Sequence, residues 1–212
     1  MNYWLMTLVK FCIIGAGLVI GFSREKKLNA VNYKFLIFLL ISGAGEVMEW
    51  LMAYYYKHNF VYYHVFRPLF YTLITLALAD ELGRLRMVFR LSIPVVWIAA
   101  YINAAYLQPM DVSLNTIIIS LTCVLQILQV LFYIARLFDE YSWSDTLFRH
   151  SFIIAIGILL HSIISFLTLG LHNVLGGDGQ KMISLFLVVS EWLFYASFAI
   201  NLLMQKPVRT AT

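Results

Sequence analysis

Charge is scarce in this chain. Charged side chains make up 12% of its 212 residues, about half of the roughly 25% found in an average soluble domain. Hydrophobic residues make up 62%, more apolar surface than a soluble fold can hide and what lipid requires. Cysteine is nearly absent as well. Cys12 and Cys123 both lie inside apolar stretches, which excludes a disulfide framework and a Cys-based zinc site, and both read as packing residues. No basic run exceeds Arg24-Glu25-Lys26-Lys27, so the net charge of +4 is not a nucleic-acid patch. No internal repeat is visible.

The apolar residues fall into seven segments long enough to cross a bilayer, for which about 20 residues are needed: 3–22, 35–56, 61–80, 91–107, 114–137, 150–170 and 182–204. This predicts an all-α, polytopic membrane protein, a single seven-helix transmembrane bundle over residues 1–212. Turn signals separate the segments at Lys57-His58-Asn59, Gln108-Pro109-Met110-Asp111 and Gly176-Gly177-Asp178-Gly179, and Pro94 suits the first turn of the fourth helix. The first segment lacks a basic leader, contains Lys10 and has no small-x-small cleavage site, so it reads as a retained helix and not a signal peptide. No soluble domain is expected at either end. Basic residues collect on alternate connections: Arg24, Lys26, Lys27, Lys34; Arg84, Arg86, Arg90; Arg136, Arg149; Lys206, Arg209. These are eleven against Lys57 and Lys181 on the other side, which predicts the N-terminus outside and the C-terminus inside. Tyr3, Trp4, Tyr54 to Tyr56, Tyr62, Tyr63, Tyr141 and Trp143 fit an aromatic belt at the headgroup level.

The few ionisable groups inside the segments are therefore conspicuous, because such groups are expensive in lipid and mark functional sites by default. A tight hairpin puts Glu49 of the second segment level with Arg67 of the third, roughly 10 Å below the outer end at 1.5 Å per residue. An ion pair between them is the expected clasp. Glu46 and His64 lie one turn away on the same faces. The last hairpin puts His161 level with Glu191, with a hydrogen bond as the structural reading. Lys10 and Asn103 fall in the outer half too; Lys10 is expected to snorkel outward, and Asn103, Gln126 and Gln129 read equally as helix-packing glue. Pro68 removes a backbone bond to His64, freeing a carbonyl for a cavity. Gly15-Ala16-Gly17 and Gly43-Ala44-Gly45 read as close-approach sites. The candidate polar pocket is thus Lys10, Glu46, Glu49, His64, Arg67, Asn103, His161 and Glu191, opening outward; no catalytic residue is assigned.

Glu46, Tyr63-His64 with Pro68, Asn103 with Leu107-Gln108, Gly157 and Phe198-Ala199-Ile200 follow one another in an order that resembles the uncharacterised small seven-helix integral membrane proteins common in Bacteroidota. The chain departs from that pattern at Phe70, where a second glutamate is usual, and at Arg67. The resemblance implies the seven-helix fold and a bacterial cytoplasmic (inner) membrane. It carries no activity, although similar modules precede histidine kinases.

Three uses are compatible with these residues. The leading one is a sensory or ligand-binding module that takes up a small molecule or lipid headgroup and signals to a separate cytoplasmic partner. The second is an intramembrane lipid hydrolase, with His64, His161, Glu46 and Glu191 as zinc donors, although no His-x-x-x-His spacing is present. The third is a small proton-coupled transporter. A retinal protein of the rhodopsin type is excluded, since Met182 to Met204 holds no lysine for a Schiff base. No cofactor is expected outside the zinc alternative, and no nucleic-acid partner.

Overall fold

The computed structural model describes residues 3–56, 58–140, 151–170 and 179–204. These form seven helices: α1 (Tyr3–Ser23), α2 (Ala30–Tyr56), α3 (Phe60–Leu78), α4 (Arg86–Ile102), α5 (Thr116–Glu140), α6 (Phe152–Ser165) and α7 (Gly179–Met204). No strand occurs among the described residues. Six helices contain stretches long and apolar enough to cross a membrane, with mean hydropathy between 1.6 and 2.4. The exception is α3, whose first half carries Tyr62, Tyr63, His64, Arg67 and Pro68. It is shielded instead by packing against α2, α4 and α5. The chain is a multi-pass helical membrane protein. Lys57, Tyr141, Trp143, Arg149, Gly176 to Asp178, Lys206 and Arg209 lie outside the described residues.

Two helices begin earlier than their apolar residues suggest. α2 starts at Ala30 because the Asn29 side chain accepts the Asn32 backbone N–H at 2.8 Å, an N-cap that needs no apolar signal. α4 starts at Arg86, so Pro94 lies inside the helix and not in its first turn. α4 and α6 each run on into a short π-helical turn, Asn103–Leu107 and Phe166–Gly170.

Successive helices are neighbours, α7 returns to α1, and α3 also meets α5, leaving α4 outside the α3–α5 pair. The middle of the bundle is aromatic. Phe38 stacks on Phe198 at 5.1 Å and meets Phe70 and Phe194 edge-on at 5.7 and 5.9 Å. The outer faces are apolar too: Val19, Tyr101 and Tyr106 are 71, 72 and 77% exposed. In water such surface would drive association; here it is the face turned to lipid. Close approach explains some glycines and not others. A β-carbon at Gly17 would lie 2.8 Å from Leu39 Cδ2, and one at Gly157 only 2.2 Å from Ser197 Oγ, whereas Gly15 faces open space.

Away from the α2–α3 turn, the bundle is tied by polar contacts. Arg24 donates to the Leu203 carbonyl, and Asn201 donates to Asn32 Oδ1 at 2.7 Å. Asp80, just past α3, receives Lys34, Arg86 and Arg90, the last two at 3.2 and 3.0 Å. The Lys34 hydrogen bond first, and then attraction from these cations, holds the Asp80 carboxyl below the usual carboxylate range. Nearby, Gly83 has φ +56° and sits under the Arg136 guanidinium, which donates to the Glu81 carbonyl at 2.7 Å.

Two outcomes follow at this end of the molecule. A carboxyl depressed by folding stabilises above the range where the unfolded chain titrates, and that contribution is lost as pH falls through the lowered value. Thermal unfolding against pH in nanodiscs therefore shows an acid-side loss that Asp80→Asn diminishes and salt weakens. Gly83→Ala, which forces a side chain into left-handed backbone and against Arg136, lowers stability by about 1–2 kcal/mol in the same assay.

Candidate functional site

An ammonium in the middle of an apolar helix must reach the surface or find carboxylates. Lys10 of α1 finds two. It pairs with Glu46 of α2 and with Glu191 of α7, the latter at 3.1 Å, and its side chain is only 13% exposed. The expectation that it snorkels outward is overturned because its ammonium is taken up by two acids inside the bundle. Tyr195, one turn beyond Glu191, donates to Glu46 Oε1 at 2.7 Å. Trp192 Nε1 donates to the Met6 carbonyl at 3.2 Å. Three helices are thus joined around one charge.

Glu49, one turn along α2, belongs to the same group but is held differently. Asn59 Nδ2 and the Tyr63 hydroxyl donate to its Oε1 at 2.7 and 3.1 Å. Among the described residues no cation pairs with it. The expected Glu49–Arg67 clasp is not formed. Arg67 reaches across to α5, donating from Nε to Thr122 Oγ1 at 2.9 Å and from Nη2 to Cys123 Sγ at 2.6 Å. Hairpin counting sets two residues at one depth but leaves open which neighbour a long side chain turns toward. Cys123 is consequently more than a packing residue, and Cys12 is exposed.

The other expected partners are also rearranged. His161 makes 3.2 Å contacts with Ser190 Oγ and Ser165 Oγ and stacks on Phe194 at 4.8 Å, with no bond to Glu191. His64 Nε2 donates to the Ser113 carbonyl at 3.2 Å. Asn103 donates to Gln108 Oε1 and Asn115 Oδ1 at 3.1 and 2.8 Å. His64 and Asn103 therefore organise the connection between α4 and α5 and line neither cavity described next. The four residues that the zinc alternative would use form no metal-binding group among the described residues, and His64 lines neither cavity.

Two cavities meet at the carboxylates. The inner one, about 50 Å³, is lined on its polar side by Glu46, Glu49, Tyr62, Tyr63, Arg67, Gln126, His161, Ser162, Glu191 and Tyr195. It has room for little more than a water or two, each taking roughly 30 Å³. Phe38, Phe70, Ile74, Ile158 and Phe194 line its apolar side. The second is a vestibule of about 210 Å³ among α1, α2, α7 and the start of α3. Its walls are Met6, Thr7, Lys10, Glu46, Glu49, Trp50, Asn59, Tyr63, Leu187, Val188, Glu191 and Trp192. Glu46, Glu49, Tyr63 and Glu191 belong to both. Lys10, Glu46, Glu49, Arg67, His161 and Glu191 are thus gathered around one joined space.

Tyr62 and Tyr63, expected in the aromatic belt, face this space instead. Tyr62 is 4% exposed. The available signal was spacing: Tyr63 precedes Arg67 by four residues, and Tyr195 follows Glu191 by four, so each pair shares a helix face. Gln126, one of the glue residues, lines the inner cavity and accepts from Ser162 at 3.2 Å. No protein-family model matches the chain, and no curated protein or solved structure matches it either.

The shared ammonium makes a prediction. Lys10→Met leaves two buried carboxylates without their cation and lowers stability by about 3–5 kcal/mol, the usual range for a broken buried pair. Adding Glu46→Gln and Glu191→Gln restores most of it. Unfolding in nanodiscs measures both.

Proposed function

We propose that the protein is a membrane-embedded binding module for a small monocation, namely the ammonium group of an amine. The observation that carries this reading is Glu49, a wall of both cavities that receives only neutral donors. Around the joined space stand three carboxylates, Glu46, Glu49 and Glu191, against Lys10 and Arg67. With all three carboxyls ionised and the histidine counted as neutral, three negative and two positive groups leave a formal charge of −1. An uncompensated carboxylate away from water is unfavourable by several kcal/mol, and one bound ammonium would balance it. The vestibule has the volume for such a group, and Tyr63, Trp50 and Trp192 supply aromatic walls of the kind that favour cations.

Sensing is the use this arrangement supports best. Lys10 holds α1, α2 and α7 through Glu46 and Glu191, which wall the same space as Glu49, so occupancy beside them would change how three helices are tied. A separate cytoplasmic partner would read that change. The phenylalanine floor beneath the inner cavity argues against carriage through the bundle, since a path would have to part Phe38, Phe70 and Phe194. The concentration of Arg24, Lys34, Arg84, Arg86, Arg90 and Arg136 at the opposite end supports an outward-facing vestibule. The family resemblance supports a bacterial inner membrane.

Methylammonium chloride tests the reading. It is expected to raise the unfolding temperature of the nanodisc-embedded chain relative to sodium chloride at equal ionic strength. Glu49→Gln is expected to weaken that response about tenfold or more, the loss of one charge-assisted contact. Absence of a shift in the wild-type chain would overturn it.

A further inference from the structure

Beside the vestibule runs a second, very different hollow. It is a groove of about 510 Å³ between α1 and α2, lined by Trp4, Thr7, Leu8, Phe11, Val47 and Trp50. Thr7 and Trp50 also line the vestibule, so the apolar groove and the charged chamber share a wall. Trp4 and Trp50 meet edge-on across it at 6.0 Å. Trp4, Leu8 and Val47 are 58, 59 and 44% exposed, which places the groove on the surface turned to acyl chains. The vestibule alone is smaller than the roughly 300–1,000 Å³ of ordinary ligand pockets, and the adjoining groove extends it into that range.

We infer that the occupant of this joined space is a cationic amphiphile drawn from the bilayer, with an amine headgroup at Glu49 and its hydrocarbon chain along the α1–α2 groove. The inference rests on the ammonium-binding reading above and adds the chain, its berth and its route. Charge complementarity selects the headgroup, because with its three carboxyls ionised the chamber is one positive charge short and an anionic or uncharged head would leave it so. The chain itself gains little from moving out of lipid into an apolar groove, since both are hydrocarbon. The charge must therefore determine which amphiphile occupies it. Entry is sideways from lipid, past the exposed Leu8 and Val47, and needs no passage through water.

The experiment uses the full chain in phosphatidylcholine nanodiscs and reads tryptophan quenching by hexadecylamine brominated in mid-chain, against the matching brominated alcohol at the same mole fraction. The amine is expected to quench more than the alcohol. That excess is expected to vanish in Glu49→Gln, which removes the headgroup contact, and to fall in Trp4→Phe with Trp50→Phe, which removes the two of the five tryptophans that line the groove. Val47→Phe narrows the groove from its exposed side without touching a charged residue. It is expected to lose the excess while keeping the thermal shift with methylammonium, and it serves if Glu49→Gln does not fold. Equal quenching by amine and alcohol, with the methylammonium shift intact, overturns the berth and leaves the ammonium site standing. Quenching excess that survives Val47→Phe also overturns the berth. Failure of methylammonium and of the long-chain amine together overturns both readings.

Discussion

One ammonium shared between two carboxylates holds the polar half of this molecule together. Lys10 lies on α1, Glu46 on α2 and Glu191 on α7, so the first, second and last helices meet at a single charge. Removing one of the three leaves the others without their charge partner. Tyr195 strengthens the arrangement by donating to Glu46 from the same face of α7 as Glu191. The closing of α7 onto α1 is thus both a packing event and an electrostatic one.

The bundle has two ends of different chemical character. At one, the carboxylates outnumber the cations and surround open space. At the other, Asp80 gathers Lys34, Arg86 and Arg90, and Arg136 caps the turn at Gly83. Between them lies the aromatic floor of Phe38, Phe70, Phe194 and Phe198, stacked and edge-on. That floor gives the polar chamber a bottom. Under the proposed reading, a ligand entering from the lipid side or the open end would meet charge first and then a wall of rings, a geometry suited to holding a molecule and less suited to passing one on.

Glu49 and Arg67 show that equal depth does not decide pairing. Arg67 instead anchors α3 to α5 through Thr122 and Cys123, and Glu49 remains on the cavity wall with Asn59 and Tyr63. His64 and Asn103 serve the connection between α4 and α5. The carboxylate without a cation, lying next to an apolar groove that shares Thr7 and Trp50 with its chamber, is the feature that most narrows the chemistry of a ligand.

The sequence by itself determined the seven helices found among the described residues, the apolar stretches of six of them and the short list of intramembrane charges, because hydropathy and hairpin length are local properties. It also placed Lys10, Glu46, Glu49, Arg67 and Glu191 at similar depth, since rise per residue is fixed in a helix. Three things were decided only by tertiary structure. The early start of α2 depended on a side-chain cap at Asn29, the interior burial of α3 on its neighbours, and every ion pair on the rotation of each helix about its axis. Rotation is set by packing across the bundle, by contacts such as Gly157 against Ser197 and Gly17 against Leu39, and residues far apart in the chain supply them. That is why depth could be counted from the sequence, whereas the choice of Glu46 and Glu191 as the partners of Lys10 could not.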